Sequence, residues 1–212
     1  MPKNYNRKDK HYQNAKSEGY FARSIYKLEE IDKKYKIFPK SSCKILDLGC
    51  SPGSWSQYAL KKNPENTIFG IDVLDCKLNN QKTFHFHKGD IKSKETILEA
   101  QNFFGEDKLN LIMSDSAPNL SGSYSDDHML SVSLVAWGFL YANALLRPGA
   151  SYAAKVFPGQ ELEKLRKIIK PNFQNINVFI PESVRKSSKE VYLIAKGFKS
   201  AVDEDLLLPF LN

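Results

Sequence analysis

Apolar positions along the chain fall into two rhythms. Phe21, Ile25, Leu28, Ile31 and Tyr35 recur at spacings of 4, 3, 3 and 4, which places one stripe on a helix. KILDLG (44–49) is instead a short apolar run ending in a glycine-containing turn, the mark of a buried strand. SWSQYALKK then reads as a helix, NTIFGIDV (66–73) as a strand with an acid near its end, and TFHFHKGD (83–90) as another strand. The alternation continues. KETILEAQNFF predicts a helix, and LNLIMSD (109–115) a strand ending in Asp. The polar loop APNLSGSY leads into a long helix from Asp126 to Leu146, stopped by Arg147-Pro148-Gly149. SYAAKVF (151–157) predicts a strand, QELEKLRKIIK a helix closed by Pro171, and NINVFI and EVYLIAKGF the last two strands.

Strands alternating with helices predict an α/β fold around a mostly parallel sheet. The connection between the last two strands, PESVRKSSK, has about nine residues, fewer than the dozen or so of a parallel crossover. The last strand is therefore expected to run antiparallel. No internal repeat is visible. Three segments are expected: a flexible basic stretch over 1–18, one domain over 19–200, and a tail over 201–212. In open sheets of this kind ligands bind beyond the carboxyl ends of the strands. Asp47, Asp72, Asp90, Asp115 and Lys155 all fall near such ends.

Composition narrows the field. With 42% hydrophobic residues in 212, the chain can bury a sizeable core and is no disordered polymer. No stretch is expected to offer the ~18–20 apolar residues of a membrane span. The N-terminus has no apolar core of a secretory signal. Cys43, Cys50 and Cys76 are spread out with no C-x-x-C pair, which argues against a disulfide scaffold and a cysteine zinc site and suits a reducing compartment. His85 and His87 alternate along a strand, and no metal site is expected. The net charge of +7 is uneven. Residues 1–36 carry ten basic and five acidic residues, and residues 185–199 five basic and one acidic. Such clustering suits a polyanion if the two segments meet in space.

The loop DLGCSPGSW (47–55) between the first strand and its helix is the chemically informative segment. It lacks G-x-G-x-x-G and G-x-x-x-x-G-K-[ST], which disfavours a dinucleotide turn and excludes a P-loop. Gly49-Cys50-Ser51-Pro52-Gly53 does match the G-x-S-x-G nucleophile elbow, and Asp115 and His128 follow in hydrolase order. The residue after Ser51 is Pro52, however, which has no N–H to offer an oxyanion. A nucleoside ligand without phosphates fits better. Gly49 and Gly53 let a ligand approach backbone, and a helix beginning near Ser54 and Trp55 can receive a carboxylate. Asp72 can accept from two ribose hydroxyls and Asp90 from an adenine amino group. Together these describe S-adenosylmethionine.

Five blocks carry a resemblance to a known family: ARSIYKLEEI (22–31), ILDLGCSPGSWSQ (45–57), MSDSAPNLSG (113–122), AKVFPG (154–159) and SSKEVYLIAKG (187–197). In this order and spacing the chain resembles the FtsJ/RrmJ family of RNA 2′-O-ribose methyltransferases. The resemblance implies a Rossmann-like class I fold with a seven-stranded sheet and an antiparallel last strand. It implies a catalytic tetrad of Lys27, Asp115, Lys155 and Glu190. Its cofactor pocket falls on Gly53, Trp55, Asp72, Asp90 and Asp115, with S-adenosylhomocysteine as product. Within the family, Lys27 would orient the target nucleotide, Asp115 touch the methionine end and a lysine, and Glu190 position a lysine. Lys155 would either take the 2′-hydroxyl proton or stay charged and hold the alkoxide.

The APNLSG loop resembles the branch acting on a uridine in the A loop of large-subunit ribosomal RNA more than the tRNA branch. The implied partner is that RNA or a ribosomal particle, met by a monomer. Ser54, where the family often has Gly, occurs in some eukaryotic and organellar-type members. A mitochondrion or other organelle is therefore expected, otherwise the cytoplasm. Phosphates are expected on Arg7, Lys8, Arg23, Arg185, Lys186 and Lys189, a hypothesis from charge clustering. Two other readings share the fold: a tRNA or cap 2′-O-methyltransferase, and a catalytically silent RNA-binding assembly factor.

Overall fold

The computed structural model describes residues 10–78, 82–185 and 187–211. Arg7, Lys8 and Lys186 lie outside them. Among the described residues the elements run α1 (Lys10–Ser17), α2 (Ile25–Tyr35), β1 (Lys44–Leu48), α3 (Ser54–Lys62), β2 (Thr67–Asp72), β3 (Phe84–Lys88), α4 (Lys94–Phe104), β4 (Leu109–Ser114), α5 (Tyr124–Leu145), β5 (Leu146–Val156), α6 (Gln160–Ile169), β6 (Phe173–Phe179), β7 (Val191–Phe198) and α7 (Glu204–Leu207).

The seven strands form one sheet in the order β3-β2-β1-β4-β5-β7-β6. β7 is antiparallel to both its neighbours, β5 and β6, as the short connection before it required. The other pairs are parallel. The chain builds outward from β1 through β2 to β3, then returns to lay β4 against the other side of β1. That reversal opens a crevice at the carboxyl ends of β1 and β4.

Both faces of the sheet are covered, so its central strands read as continuous apolar runs rather than alternating ones. α2 and α3 cover one face through Ile25, Leu28, Ile45 and Trp55, while α4, α5 and α6 cover the other through Leu46, Ile112, Phe139 and Leu165. α4 matches its sequence expectation to the residue. Its Ser93 caps the first turn by accepting from the Glu95 N–H at 3.1 Å.

Within the stretch over 1–18, α1 forms from Lys10, and Ala15 is buried there. Three sequence expectations are corrected. Phe21 lies outside the second helix, which starts at Ile25. Arg147-Pro148-Gly149 does not separate helix from strand; α5 ends at Leu145 and β5 starts at Leu146. The β4–β5 register slips from Leu109↔Leu146 to Leu111↔Ser151. The extra residues bulge out around Pro148, which has no N–H for the ladder. Finally, α5 is long and apolar enough to cross a membrane by length and composition, but most of it is buried in the core. The segment over 201–212 also docks: Val202, Leu207 and Phe210 join the main hydrophobic cluster.

Candidate active site

The crevice at the sheet reversal is a cleft of about 470 Å³ whose walls include Gly49, Ser51, Asp72, Leu74, Asp90 and Asp115. Its β1 side is held by backbone. Gly49 and Cys50 N–H groups both donate to the Ile71 carbonyl, at 2.8 and 3.2 Å. Gly49 has φ +72°, and a Cβ there would lie 2.5 Å from Cβ of Ser116. Only glycine lets the loops after β1 and β4 come this close.

Asp72 braces the same wall. Its Oδ2 accepts from the Ser51 N–H and its Oδ1 from the Leu74 N–H, each at 2.8 Å. Each oxygen keeps a lone pair for a ligand. Asp90 Oδ1 accepts from the Lys92 N–H at 2.8 Å. Val73 and Leu74 are 59% and 65% exposed beside these acids, so the cleft pairs apolar surface with carboxylates.

Gly53, Ser54 and Trp55 do not belong to this wall. Gly53, with φ +110°, packs against the Cys76–Leu78 segment. The Ser54 hydroxyl shares a hydrogen bond with that of Ser24 at 2.8 Å, and Trp55 Nε1–H donates to the Ser24 carbonyl at 3.0 Å. Trp55 is a core residue, 2% exposed. The pair ties the start of α3 to the start of α2, which fixes Lys27 one turn later. Asp47 is also behind the wall. Its Oδ2 accepts from the Ser56 hydroxyl at 2.6 Å, and Oδ1 has no partner. Burial pushes its carboxyl up to about 7.

A second cleft of about 360 Å³ adjoins, lined by Arg23, Lys27, Leu120, Arg185, Ser188 and Glu190. Between the two stands a compact charge cluster. Lys27 forms an ion pair with Glu190 and lies 4.0 Å from Asp115 Oδ1. Lys155 Nζ lies 3.3 Å from the same Oδ1 and donates to the Asp115 carbonyl at 2.5 Å. The four side chains are between 11% and 17% exposed. Burial works against the Asp115 carboxylate, but Lys155, Lys27 and the Tyr192 hydroxyl outweigh it and hold the carboxyl below its ordinary value. Burial likewise opposes the Lys27 ammonium, and Asp115 and Glu190 overcome it, raising Lys27 above its ordinary value.

Tyr192 is the member that the sequence reading missed. It is fully buried and donates its hydroxyl to Asp115 Oδ1 at 2.8 Å. Burial and the Asp115 charge push its phenol well above the usual range. In sequence it is one more aromatic in an apolar strand. Only the antiparallel register, which sets Tyr192 opposite Lys155, shows its role.

Of the expected phosphate contacts, Arg23 and Arg185 share the second cleft. Arg23 also donates to the Ser183 carbonyl. Lys189 stands apart with its ammonium 4.4 Å from the Tyr124 ring centre. Among the described residues no group of three or more His, Cys, Asp or Glu could hold a metal ion.

The sequence profile described as "FtsJ-like methyltransferase" matches residues 20–198. A ribosomal RNA large subunit methyltransferase E of Borrelia duttonii is 40% identical over 194 residues, covering 92% of this chain and 98% of that one. Its namesake from Halorubrum lacusprofundi is 35% identical, covering 92% and 72%. A Plasmodium falciparum structure described as a ribosomal RNA methyltransferase superposes with a TM-score of 0.74 at 28% identity, covering 85% of this chain and 100% of that one. Fibrillarin of Methanococcus jannaschii, at 16% identity and TM-score 0.60, shares the fold alone.

Proposed function

Because the chain belongs to the FtsJ-like methyltransferase family, we propose that it moves a methyl group from S-adenosylmethionine to the ribose 2′-hydroxyl of a uridine in large-subunit ribosomal RNA. The observation that carries the reading is the position of Asp115. It lines the first cleft and is bound through ion pairs to Lys27, which lines the second. One acid thus joins a nucleoside-sized site to a cationic one, as a transfer between two substrates requires.

The first cleft suits the cofactor. Asp72 offers two acceptor oxygens to ribose hydroxyls, Asp90 offers one to an exocyclic amine, and exposed Val73 and Leu74 suit the face of a base. When bound, the cofactor supplies a methyl group on a sulfonium, an electrophile strong enough that the protein mainly aligns and stabilises. Arg23 and Arg185 would hold phosphate at the second cleft. Lys155 Nζ donates to the Asp115 carbonyl and lies 3.3 Å from its carboxylate. As an ammonium it would keep a further N–H for an oxygen. In this role Lys155 would hold the negative charge that grows on O2′ as its proton leaves to water, a charge used up when O2′ takes the methyl group and the sulfonium is left as a neutral thioether. Lys27 and Glu190 hold Asp115 and the nucleotide in register. Lys27, Asp115, Lys155 and Glu190 all come from one chain, which supports action as a monomer.

The test uses cofactor with a labelled methyl group and large-subunit RNA or ribosomal particles. The reading expects label in an alkali-resistant dinucleotide, because 2′-O-methylation blocks the hydroxyl that alkali needs. Label on a base, or label in tRNA alone, overturns it.

A further inference from the structure

The cofactor-side wall contains a thiol pair that the proposed reaction does not use. Cys50 and Cys76 are each 3% exposed and belong to one buried cluster. Each thiol is the largest single influence on the other's acidity. The segments that carry them run side by side. Ser51 Oγ–H donates to the Asp75 carbonyl at 3.1 Å, the Ser51 N–H to Asp72 Oδ2 at 2.8 Å, and the Lys77 N–H to the Pro52 carbonyl at 3.0 Å. These bonds flank both cysteines, so the two thiols sit on adjoining segments of one buried cluster. Cys43, the third cysteine, is at the opposite end of β1, where its thiol donates to Asn66 Oδ1 at 3.2 Å.

We propose that Cys50 and Cys76 are a peroxide-sensitive modification site whose oxidation to a disulfide distorts the cofactor-side wall. The roles of the two sulfurs differ. The Cys50 thiol and the backbone N–H groups that follow Cys76 favour a thiolate at Cys76. Against burial they bring its thiol down to about 7. Cys50, beside that thiol and buried, is pushed up. Cys76 is therefore the nucleophile. Its thiolate attacks one oxygen of hydrogen peroxide, the O–O bond breaks, and a sulfenic acid and hydroxide form. The Cys50 sulfur then attacks the sulfenic sulfur. The S–S bond forms, the S–O bond breaks, and the leaving hydroxide takes the Cys50 proton as water. Two thiols lose two electrons, and one peroxide gains them.

A disulfide would lock the two segments to each other at covalent distance. Cys50 lies between Gly49 and Ser51, and Cys76 closes the loop that holds Asp72 and Leu74. All four of those neighbours line the first cleft. The bond therefore moves the wall. This consequence rests on the first cleft being the cofactor site; the cross-link itself does not.

The experiment treats the reduced full chain with hydrogen peroxide, then maps tryptic peptides and measures S-adenosylhomocysteine affinity by calorimetry. Trypsin puts Cys43, Cys50 and Cys76 on three separate peptides, since Lys44, Lys61, Lys62 and Lys77 divide them. The expected result is a Cys50–Cys76 cross-link within one chain, a free Cys43, and affinity lowered at least five-fold and restored by dithiothreitol. In Cys50→Ala, Cys76 should instead accumulate as a sulfenic acid that a dimedone probe captures. A cross-link through Cys43, or Cys76 oxidised past the sulfenic acid with Cys50 still free, overturns the site. A correct cross-link with unchanged affinity overturns its effect on the wall. A reduced chain that binds no S-adenosylhomocysteine contradicts the proposed function instead, and leaves the mapped cross-link standing.

Discussion

The two sides of the carboxyl rim use the same residue types in opposite ways. On the β1–β2–β3 side, Asp72 and Asp90 stand apart, and backbone N–H groups satisfy them. On the β4–β5–β7 side, Asp115 and Glu190 are locked with Lys27 and Lys155 into one nearly buried cluster. Backbone satisfaction gives a rigid wall that keeps lone pairs for a ligand. Charge clustering in a dry site gives a local field that can respond to a developing charge. In the proposed function the first side binds, and the second stabilises a reaction.

Asp115→Asn should separate the two sides most strongly. It leaves two nearly buried ammonium groups short of a counter-charge, with an expected cost of about 3 kcal/mol in unfolding stability. The pH dependence has a definite sign. The folded carboxyl lies below its ordinary value, so its contribution is full above the unfolded carboxylate range and is lost as pH falls through the folded value. Urea unfolding at pH 7 and at pH 3 should show the gap between wild type and variant narrowing at the lower pH. A constant gap would mean that Asp115 acts by packing, not by charge.

Asp72→Asn comes next and acts on the other side. It turns one brace oxygen into a donor that faces a backbone N–H. S-adenosylhomocysteine affinity should fall about ten-fold, or ~1.4 kcal/mol, with the single-turnover rate at saturating cofactor changed little. A large rate loss at saturation would erase the division of labour. Tyr192→Phe is the smallest change. It removes one hydrogen bond to Asp115, worth about 1 kcal/mol, and should lower the single-turnover rate a few-fold with cofactor affinity intact. An unchanged rate would make Tyr192 a core residue only.

How much of this was legible beforehand depended on the range of the physics involved. α3 and α4 were readable because a helix stripe is local. The antiparallel β7 was readable because a short connection limits topology. Asp115 and Lys155 were readable as polar groups near strand carboxyl ends, but Lys27, Glu190 and the grouping of all four were reached only through family resemblance, since charges scattered from α2 to the start of β7 carry no local signal. Tyr192 was hidden for the same reason: its partner is set by strand register. For Trp55 the structure shows where the side chain goes, to Ser24 and the core, a destination its motif does not reveal. α1 was missed because a polar sequence gave no stripe, although Ala15 packs inward.

The central claim is that Lys155, held by Asp115, serves the transfer and not cofactor binding. Single-turnover methyl transfer by Lys155→Ala, measured beside its S-adenosylhomocysteine affinity, addresses it most directly. The account predicts a rate lowered at least ~100-fold with affinity within about three-fold of wild type. A variant that transfers methyl groups at nearly the wild-type rate, or that loses rate only as far as it loses cofactor, would contradict it.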